Sequence, residues 1–259
     1  MNTIMRVQIL GCSAGIGAGL RTTSLLIDDD VLVDCGTGAG DLDMAGLRAV
    51  RHVFLTHAHL DHIAMLPLLI DTVFEQLKDQ PLTIHCQPST YDVLRRHIFN
   101  WHVWPDFFEL PDKFTPAVRF EPLAPGETHV LGARGFEMIE VTHTVPAAAY
   151  RIHSADAVLA FSGDSTSNKG LWSALNRHKR LDLLIVECAF PEADAELSLA
   201  AGHYCPSLLA ADLAKLEHRP RVYVTHLKPG AESVTMRELR ALLPQFDLHP
   251  LLTGQVFEL

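Results

Sequence analysis

The amino-acid sequence predicts an α/β (α+β) fold, built as one domain over residues 1–259. Three observations carry that expectation. Short apolar runs of strand length recur through both halves, separated by turn residues and by segments with helical spacing. No low-complexity linker divides the chain, and 259 residues are enough for one sizeable core. Polar residues with metal-binding chemistry stand at the ends of several apolar runs, where a loop exposes them beside that core.

Strand signals open the chain, with "RVQIL", "SLLI" and "VLVDCG" in succession. "HVFLTH" is a short buried strand, and "IAMLPLLIDTVFEQL" after it reads as one helix. "PLTIHC" is a further strand, followed by a helix over "STYDVLRRHIFN" with Ser89 as its cap. In the second half "FEMIEVTH", "YRIHS", "AVLAFSGD", "LDLLIVECAF" and "RVYVTH" read as strands. "PSLLAADLAKLEH" spaces Leu209, Leu213 and Leu216 along one helix face and tolerates Pro206 in its first turn. "HVFLTHAHLD" and "RVYVTHLKP" echo one another: each carries an apolar strand to Thr-His at its end. Two matching strand ends could deliver ligands from two halves to one centre.

Composition narrows the function classes. Apolar residues make up 48% and charged residues 20%, the balance of an ordinary globular protein. Lysine plus arginine is 21 against 31 acidic residues, a net charge of −10 that opposes long-range attraction to nucleic acid or an anionic membrane. A small anionic substrate is compatible with that sign, because a bound cation reverses the field locally. The five cysteines (Cys12, Cys35, Cys86, Cys188 and Cys205) are scattered, odd in number and without a CxxC. That usage argues against a disulfide framework and fits a reducing, cytoplasmic compartment. The start of the chain lacks a signal-peptide pattern, and no apolar stretch reaches the roughly 18 residues that span a bilayer.

"HAHLDH" gathers His57, His59, Asp61 and His62 at one strand end. Imidazole suits zinc and other divalent transition metals, and a carboxylate adds charge neutralisation. In an extended segment residues two apart share a face, so His57 and His59 point together. Asp61 and His62, where the chain turns into a helix, can address a second metal. "EVTHTVPA" adds His143, "AFSGDSTSN" adds Asp164 and "YVTHLKPG" adds His226. Taken singly, His143 or His226 also suits a strand cap, and Asp164 a turn. With "HAHLDH" they make seven ligands, the number for two metals with positions left for water. His52, His85, His97, His129, His178 and His249 share no such pattern and read as surface or packing residues.

The ordered set "HAHLDH", "VTHTVPAAAY", "FSGDST" and "VTHLKP" resembles the metallo-β-lactamase superfamily, in its phosphodiesterase branch, from about Gly11 to Pro229. Within that branch the chain is most similar to class II 3′,5′-cyclic-nucleotide phosphodiesterases. The likeness lies in "HLDH", in Phe99-Asn100 and Trp104-Pro105 for an "FN…WP" stretch, and in "HLKP". It departs at Met65, where the class II signature has glycine.

The resemblance implies a four-layer αββα sandwich, the metallo-β-lactamase fold, with the site at the rim. It implies two divalent metal ions as cofactors, zinc fitting the ligands best and manganese or iron also fitting. His57, His59 and His143 would hold one metal, Asp61, His62 and His226 the other, and Asp164 would bridge. The implied activity is hydrolysis of a 3′,5′-cyclic nucleotide to the 5′-monophosphate by a metal-activated hydroxide, with Asp61 counted among the catalytic residues. The partner is then a small cyclic-nucleotide substrate, with neither nucleic acid nor membrane required.

Leaving-group protonation needs an acid. "AAGHYCPS" offers His203 just before a helix, and "LIVECAF" offers Glu187 at a strand end. In the related tRNA-processing enzymes a Glu and a His at similar places form a proton-shuttling pair, which implies that Glu187 orients His203. A purely structural hydrogen-bonded pair, or two unconnected surface residues, are the alternatives. Asp34 either braces the ligand loop through hydrogen bonds or simply ends its strand in a turn.

Candidate substrate contacts are Ser13 in "GCSAG", Asn100, Trp104 and Lys228, the last also readable as a solvated lysine. A purine could stack on Trp101, Trp104 or Phe107 in "HIFNWHVWPDFFEL", a segment equally suited to a lid or to the contact of a homodimer. Two other readings stand beside the phosphodiesterase. A tRNA 3′-end endonuclease (ribonuclease Z-like) shares the site, but the acidic charge and lack of a basic arm count against it. A non-catalytic metal-binding sensor predicts a broken ligand set.

Overall fold

The computed structural model describes residues 4–259. Its strands are β1 Arg6–Gly11, β2 Ser24–Ile27, β3 Val31–Val33, β4 His52–Phe54, β5 Leu82–Cys86, β6 Val118–Pro122 and β7 Thr128–Leu131. β8 Arg134–Val141, β9 Ala147–His153, β10 Val158–Phe161, β11 Leu183–Glu187, β12 Arg221–Thr225, β13 Leu248–Pro250 and β14 Val256–Glu258 complete them. They form two sheets of seven strands, ordered β14-β1-β2-β3-β4-β5-β6 and β13-β12-β11-β10-β9-β8-β7. Both are mixed: β3 to β6 and β10 to β13 run parallel, and the remaining pairs are antiparallel.

The helices are α1 Met44–Ala49, α2 Leu60–Ile63, α3 Leu66–Thr72, α4 Phe74–Leu77, α5 Pro88–Val93, α6 Gly170–Asn176, α7 Ala195–Ala200, α8 Pro206–Leu213 and α9 Glu232–Leu242. Strand alternation assigns each side chain to a layer. Leu25, Ile27, Phe54, Phe136, Tyr150, Phe161 and Ile185 fill the space between the sheets. On the far face of the first sheet, Leu26, Val53 and Ile84 pack against Leu66, Leu69 and Ile70 of α3. On the far face of the second, Leu184, Val186 and Val222 pack against Trp172 of α6, Leu209 and Leu213 of α8, and Leu239 of α9. Strands buried on both faces need near-continuous apolar sequence, which is what "SLLI", "VLAF" and "LLIV" supply. The result is the four-layer αββα sandwich that the resemblance implied.

Two helices differ from expectation. The single helix expected over "IAMLPLLIDTVFEQL" is broken: α2 ends at the first residue of that span, Ile63, and α3 starts afresh because Pro67 in its first turn lacks the N–H to continue a helix before it, while α4 follows α3 after Val73. Ser89 is not a cap: Gln87 holds that position, Pro88 opens the helix, and the chain continues past Val93 as a wider turn over Leu94–Ile98. The short strands β6, β7, β13 and β14 had no clear periodic signal, being three to five residues long and largely half-exposed.

The carboxyl ends of β3, β4, β8, β10, β11 and β12 meet at one rim. Asp34, His57, His143, Asp164, Glu187 and His226 lie at or just beyond those ends. The echo between "VFLTH" and "VYVTH" is thus a placement of β4 in one sheet and β12 in the other.

Candidate metal centre

At the rim, one donor atom from each of His57, His59, His143 and Asp164 lies within 4.8 Å of the others. Asp61, His62, Asp164 and His226 form a second such group. Asp164 belongs to both. Its Oδ2 stands 3.2 Å from His62 Nε2, 3.3 Å from His226 Nε2 and 3.8 Å from His57 Nε2. His59 Nδ1 and His143 Nε2 are 3.2 Å apart, as are Asp61 Oδ2 and His226 Nε2. All seven side chains singled out from sequence therefore converge.

Hydrogen bonds around the cluster select one tautomer for three of the histidines. Asp34 accepts from Thr56 N at 2.8 Å, Thr56 Oγ1 at 2.8 Å and His62 Nδ1 at 2.7 Å. Because the Thr56 hydroxyl gives its proton to Asp34, it accepts from His57 Nδ1, 2.9 Å away. His143 Nδ1 donates to Gly202 O at 2.8 Å. In each ring Nδ1 carries a proton and Nε2 is the atom turned to the cluster, the one a metal would take. Asp34 (φ 59°) and His226 (φ 58°) both take the left-handed backbone conformation that L-residues seldom adopt. Gly163 (φ 57°) and Gly202 (φ 69°) beside Asp164 and His203 need it too, since a Cβ there would come within 2.7 Å of Ala148 O and 2.9 Å of Thr144 N.

The donors fit divalent cations. His57 Nε2 and His62 Nε2 are buried without a hydrogen-bond partner, a state that costs about 1–3 kcal/mol per group when nothing binds it. Ligand atoms about 2.1 Å from a tetrahedral zinc lie roughly 3.4 Å apart, close to the separations around Asp164. Burial, with His62 adding to it, holds His57 well below the ordinary imidazole range, which keeps its lone pair available. Burial works against the Asp164 charge, but His226 and His62 outweigh it and hold that carboxyl well below its usual range.

Beside the cluster, Glu187 is fully buried and accepts from His203 Nδ1 at 2.9 Å and from the amides of Ser165 and Ala189, each at 3.0 Å. Burial and the nearby Asp164 charge push Glu187 up to about 8. The His203 ring lies between those of His143 and His226, at centroid distances of 5.0 and 5.2 Å. Burial holds His203 below the ordinary range, Asp164 pulling upward and the Lys228 ammonium downward.

The candidate substrate contacts divide. Ser13 bridges to Leu227, next to His226, and its buried hydroxyl has no partner. Lys228 Nζ sits 5.1 Å over the Phe190 ring, within electrostatic reach of His203. Asn100 spends its side chain on its own turn, accepting from His102 N and Val103 N and donating to Arg96 O. Trp104 packs half-buried against the apolar layer under β5, and Phe107 is buried in it; Trp101, 58% exposed, is the open ring of that segment. Thr56 and Gly202 were not singled out from sequence. Nor was an apolar hollow of about 120 Å³ beside His59, lined by Ser89, Thr90, Val93, Val145 and Pro146.

A family model described as a beta-lactamase superfamily domain matches residues 29–227. The chain belongs to that superfamily and has the metallo-β-lactamase fold, which implies divalent metal ions. A probable 3′,5′-cyclic-nucleotide phosphodiesterase of Yersinia pestis is 29% identical over 207 residues, covering 71% of this chain and 58% of the relative. A ribonuclease Z of Halorubrum lacusprofundi is 31% identical over 160 residues, covering 59% of this chain and 48% of the relative. These matches span about half the length of the curated relatives. The crystal structure of unliganded yeast PDE1 shares the fold with a TM-score of 0.82, at 20% identity over 99% of both chains. No helix among the described residues is long and apolar enough to cross a membrane.

Proposed function

We propose that the chain is a metal-dependent hydrolase that opens a 3′,5′-cyclic nucleotide to its 5′-monophosphate. The observation that carries this reading is Asp164, shared by two histidine–aspartate groups and flanked by the Glu187–His203 pair. His57, His59 and His143 would hold one divalent metal, and Asp61, His62 and His226 the other, with Asp164 common to both. Bound metals would supply Lewis-acid charge at the phosphoryl oxygens and an acidified water at neutral pH.

The chain's own residues orient and protonate. Asp34, Thr56 and Gly202 hold three imidazoles with Nε2 inward. His203 donates Nδ1–H to Glu187, which leaves Nε2 toward the site; once Nε2 has taken a proton from solvent, the ring would hand that proton to the departing 3′ oxygen and return to its neutral Nδ1–H form. Ser13, bridged to Leu227 beside His226, and Lys228, within electrostatic reach of His203, are the residues that would offer a phosphate oxygen a hydroxyl and a positive charge. The hollow beside His59 offers an apolar wall to the nucleoside.

A tRNA 3′-end endonuclease is the second reading, favoured by the identity to ribonuclease Z. The net charge of −10 opposes it, since folded RNA is bound largely through its phosphates. The test is a product assay on zinc- or manganese-reconstituted protein with cyclic AMP, cyclic GMP and a precursor tRNA. The expected outcome is 5′-monophosphate, lost with chelator and regained with metal. Intact cyclic nucleotides beside a trimmed tRNA would overturn the proposal, and bound metal without turnover on any ester would make the chain a sensor.

A further inference from the structure

We infer that a separate divalent-cation site joins the two sheets at their shared open edge, formed by His85 on β5, Glu121 on β6 and His129 on β7. Register brings these residues together. His85 stands directly across from Phe54 on β4 and from Glu121 on β6, so all three share the face turned toward the other sheet. His129 stands across from Phe136 on β8 and looks back at them. Phe54 stacks on Phe136 at 4.3 Å and on His85 at 4.3 Å, which fixes the spacing of the layers. The His85 and His129 rings then lie 4.4 Å apart by centroid.

One donor atom from each of the three lies within 4.8 Å of the others. The Glu121 carboxylate reaches both histidines, with Oε2 3.6 Å from His85 Nδ1 and Oε1 3.5 Å from His129 Nδ1. Those contacts are too long for good N–H···O hydrogen bonds. They match the roughly 3.4 Å between neighbouring ligands held about 2.1 Å from a tetrahedral zinc. His85 is completely buried, and its Nδ1 has no hydrogen-bond partner. Its Nε2 lies 3.0 Å from His52 Nδ1. With His52 accepting, the proton occupies Nε2 and the His85 Nδ1 lone pair points at Glu121 and His129, the second-sphere arrangement of a ligating histidine.

Chemistry selects the ion. Two imidazoles and one carboxylate suit zinc or a neighbouring transition metal; calcium and magnesium prefer all-oxygen cages. The Glu121 side chain is 49% exposed and that of His129 19%, so an ion enters from solvent and keeps a water as fourth ligand. This site is distinct from the rim cluster: it shares no residue with it, and His85 stands level with Phe54, which precedes His57 by three residues, about 10 Å at ~3.3 Å per extended residue. β6 and β7 are the last strands of their sheets, so the ion pins the first sheet to the second where neither has a further neighbour.

The test compares zinc content after dialysis of the full chain against a zinc buffer with that of Glu121→Gln and His129→Ala, both partly exposed positions that tolerate change. Each variant should hold one equivalent fewer than the parent, whatever the parent's total. Zinc should also raise the parent's Tm by more than it raises either variant's, while hydrolysis per molecule stays the same. Equal zinc content in all three proteins, or an equal rise in Tm, would overturn the site.

Discussion

The Nδ1 of His62 lies 2.7 Å from Oδ2 of Asp34, and both side chains are fully buried. That contact connects the end of β3 to the ligand segment after β4, and it reaches a second histidine through the Thr56 hydroxyl. One carboxylate thus sets the tautomers of His57 and His62 together. Asp34→Asn presents an amide whose N–H₂ group meets donors, so the two imidazoles lose their fixed orientation. Metal affinity should fall by about 10–100-fold. Competition with a chromogenic chelator reads it, and unchanged affinity would leave Asp34 a turn residue only.

His203 touches Glu187 and the rings of two candidate ligands, yet it belongs to neither group of converging donors. His203→Ala should lower turnover by about 10²–10⁴-fold, the usual worth of a positioned proton donor, with metal content unchanged. Glu187→Gln keeps the side chain's shape but takes away a carboxyl that titrates, so it should lower turnover less and shift the pH profile. Lost metal in His203→Ala would make His203 a ligand.

Gly202 sits at φ 69°, and its carbonyl anchors His143. An added Cβ would stand 2.9 Å from Thr144 N and 3.1 Å from His143 Nδ1. Gly202→Ala is therefore strained by its backbone and crowded by its neighbours, at a cost of about 1–3 kcal/mol. Lower Tm together with weaker metal retention is the expected result. A loss of stability alone would separate the turn from the site.

The seven side chains at the rim were legible because each follows an apolar run, so strand signals located them without knowledge of the sheets. Thr56 was hidden by the same logic: a threonine at a strand end is ordinary, and its role exists only because Asp34 arrives from β3. Asn100 and Trp104 show what a motif in sequence leaves out. An Asn and a Trp near a motif look available, but backbone donors occupy the first and an apolar layer the second. His85 and His129 lie far apart in the chain, and only the β5–β6 register and the facing of two sheets bring them together. The strands β6 and β7 that do this are short and partly exposed, which is why no periodicity announced them.

Asp212 on α8 has no exposed surface and gathers five donors. It accepts from Tyr204 OH at 2.7 Å, from Trp172 Nε1, Asn168 N and Ser167 Oγ at 3.0 Å each, and from the Lys215 ammonium. The loop that leaves Asp164 is thereby tied to α6 and α8. Burial opposes the charge, but the donors, Lys215 foremost, outweigh it and hold the carboxyl below its ordinary range. A depressed folded value means the native state binds the proton less readily than the unfolded chain. The stabilisation is therefore complete above the unfolded value of about 3.9 and is lost as pH falls through the lower folded one. Asp212→Asn turns an amide donor toward this ring of donors and should cost on the order of 3 kcal/mol at neutral pH, a fall in Tm of roughly 6–12 °C. Below about pH 4 the carboxyl protonates in the unfolded parent while the folded one still resists, so the gap between the two proteins should narrow. A gap that stays constant from pH 7 to pH 3 would move the effect from charge to packing.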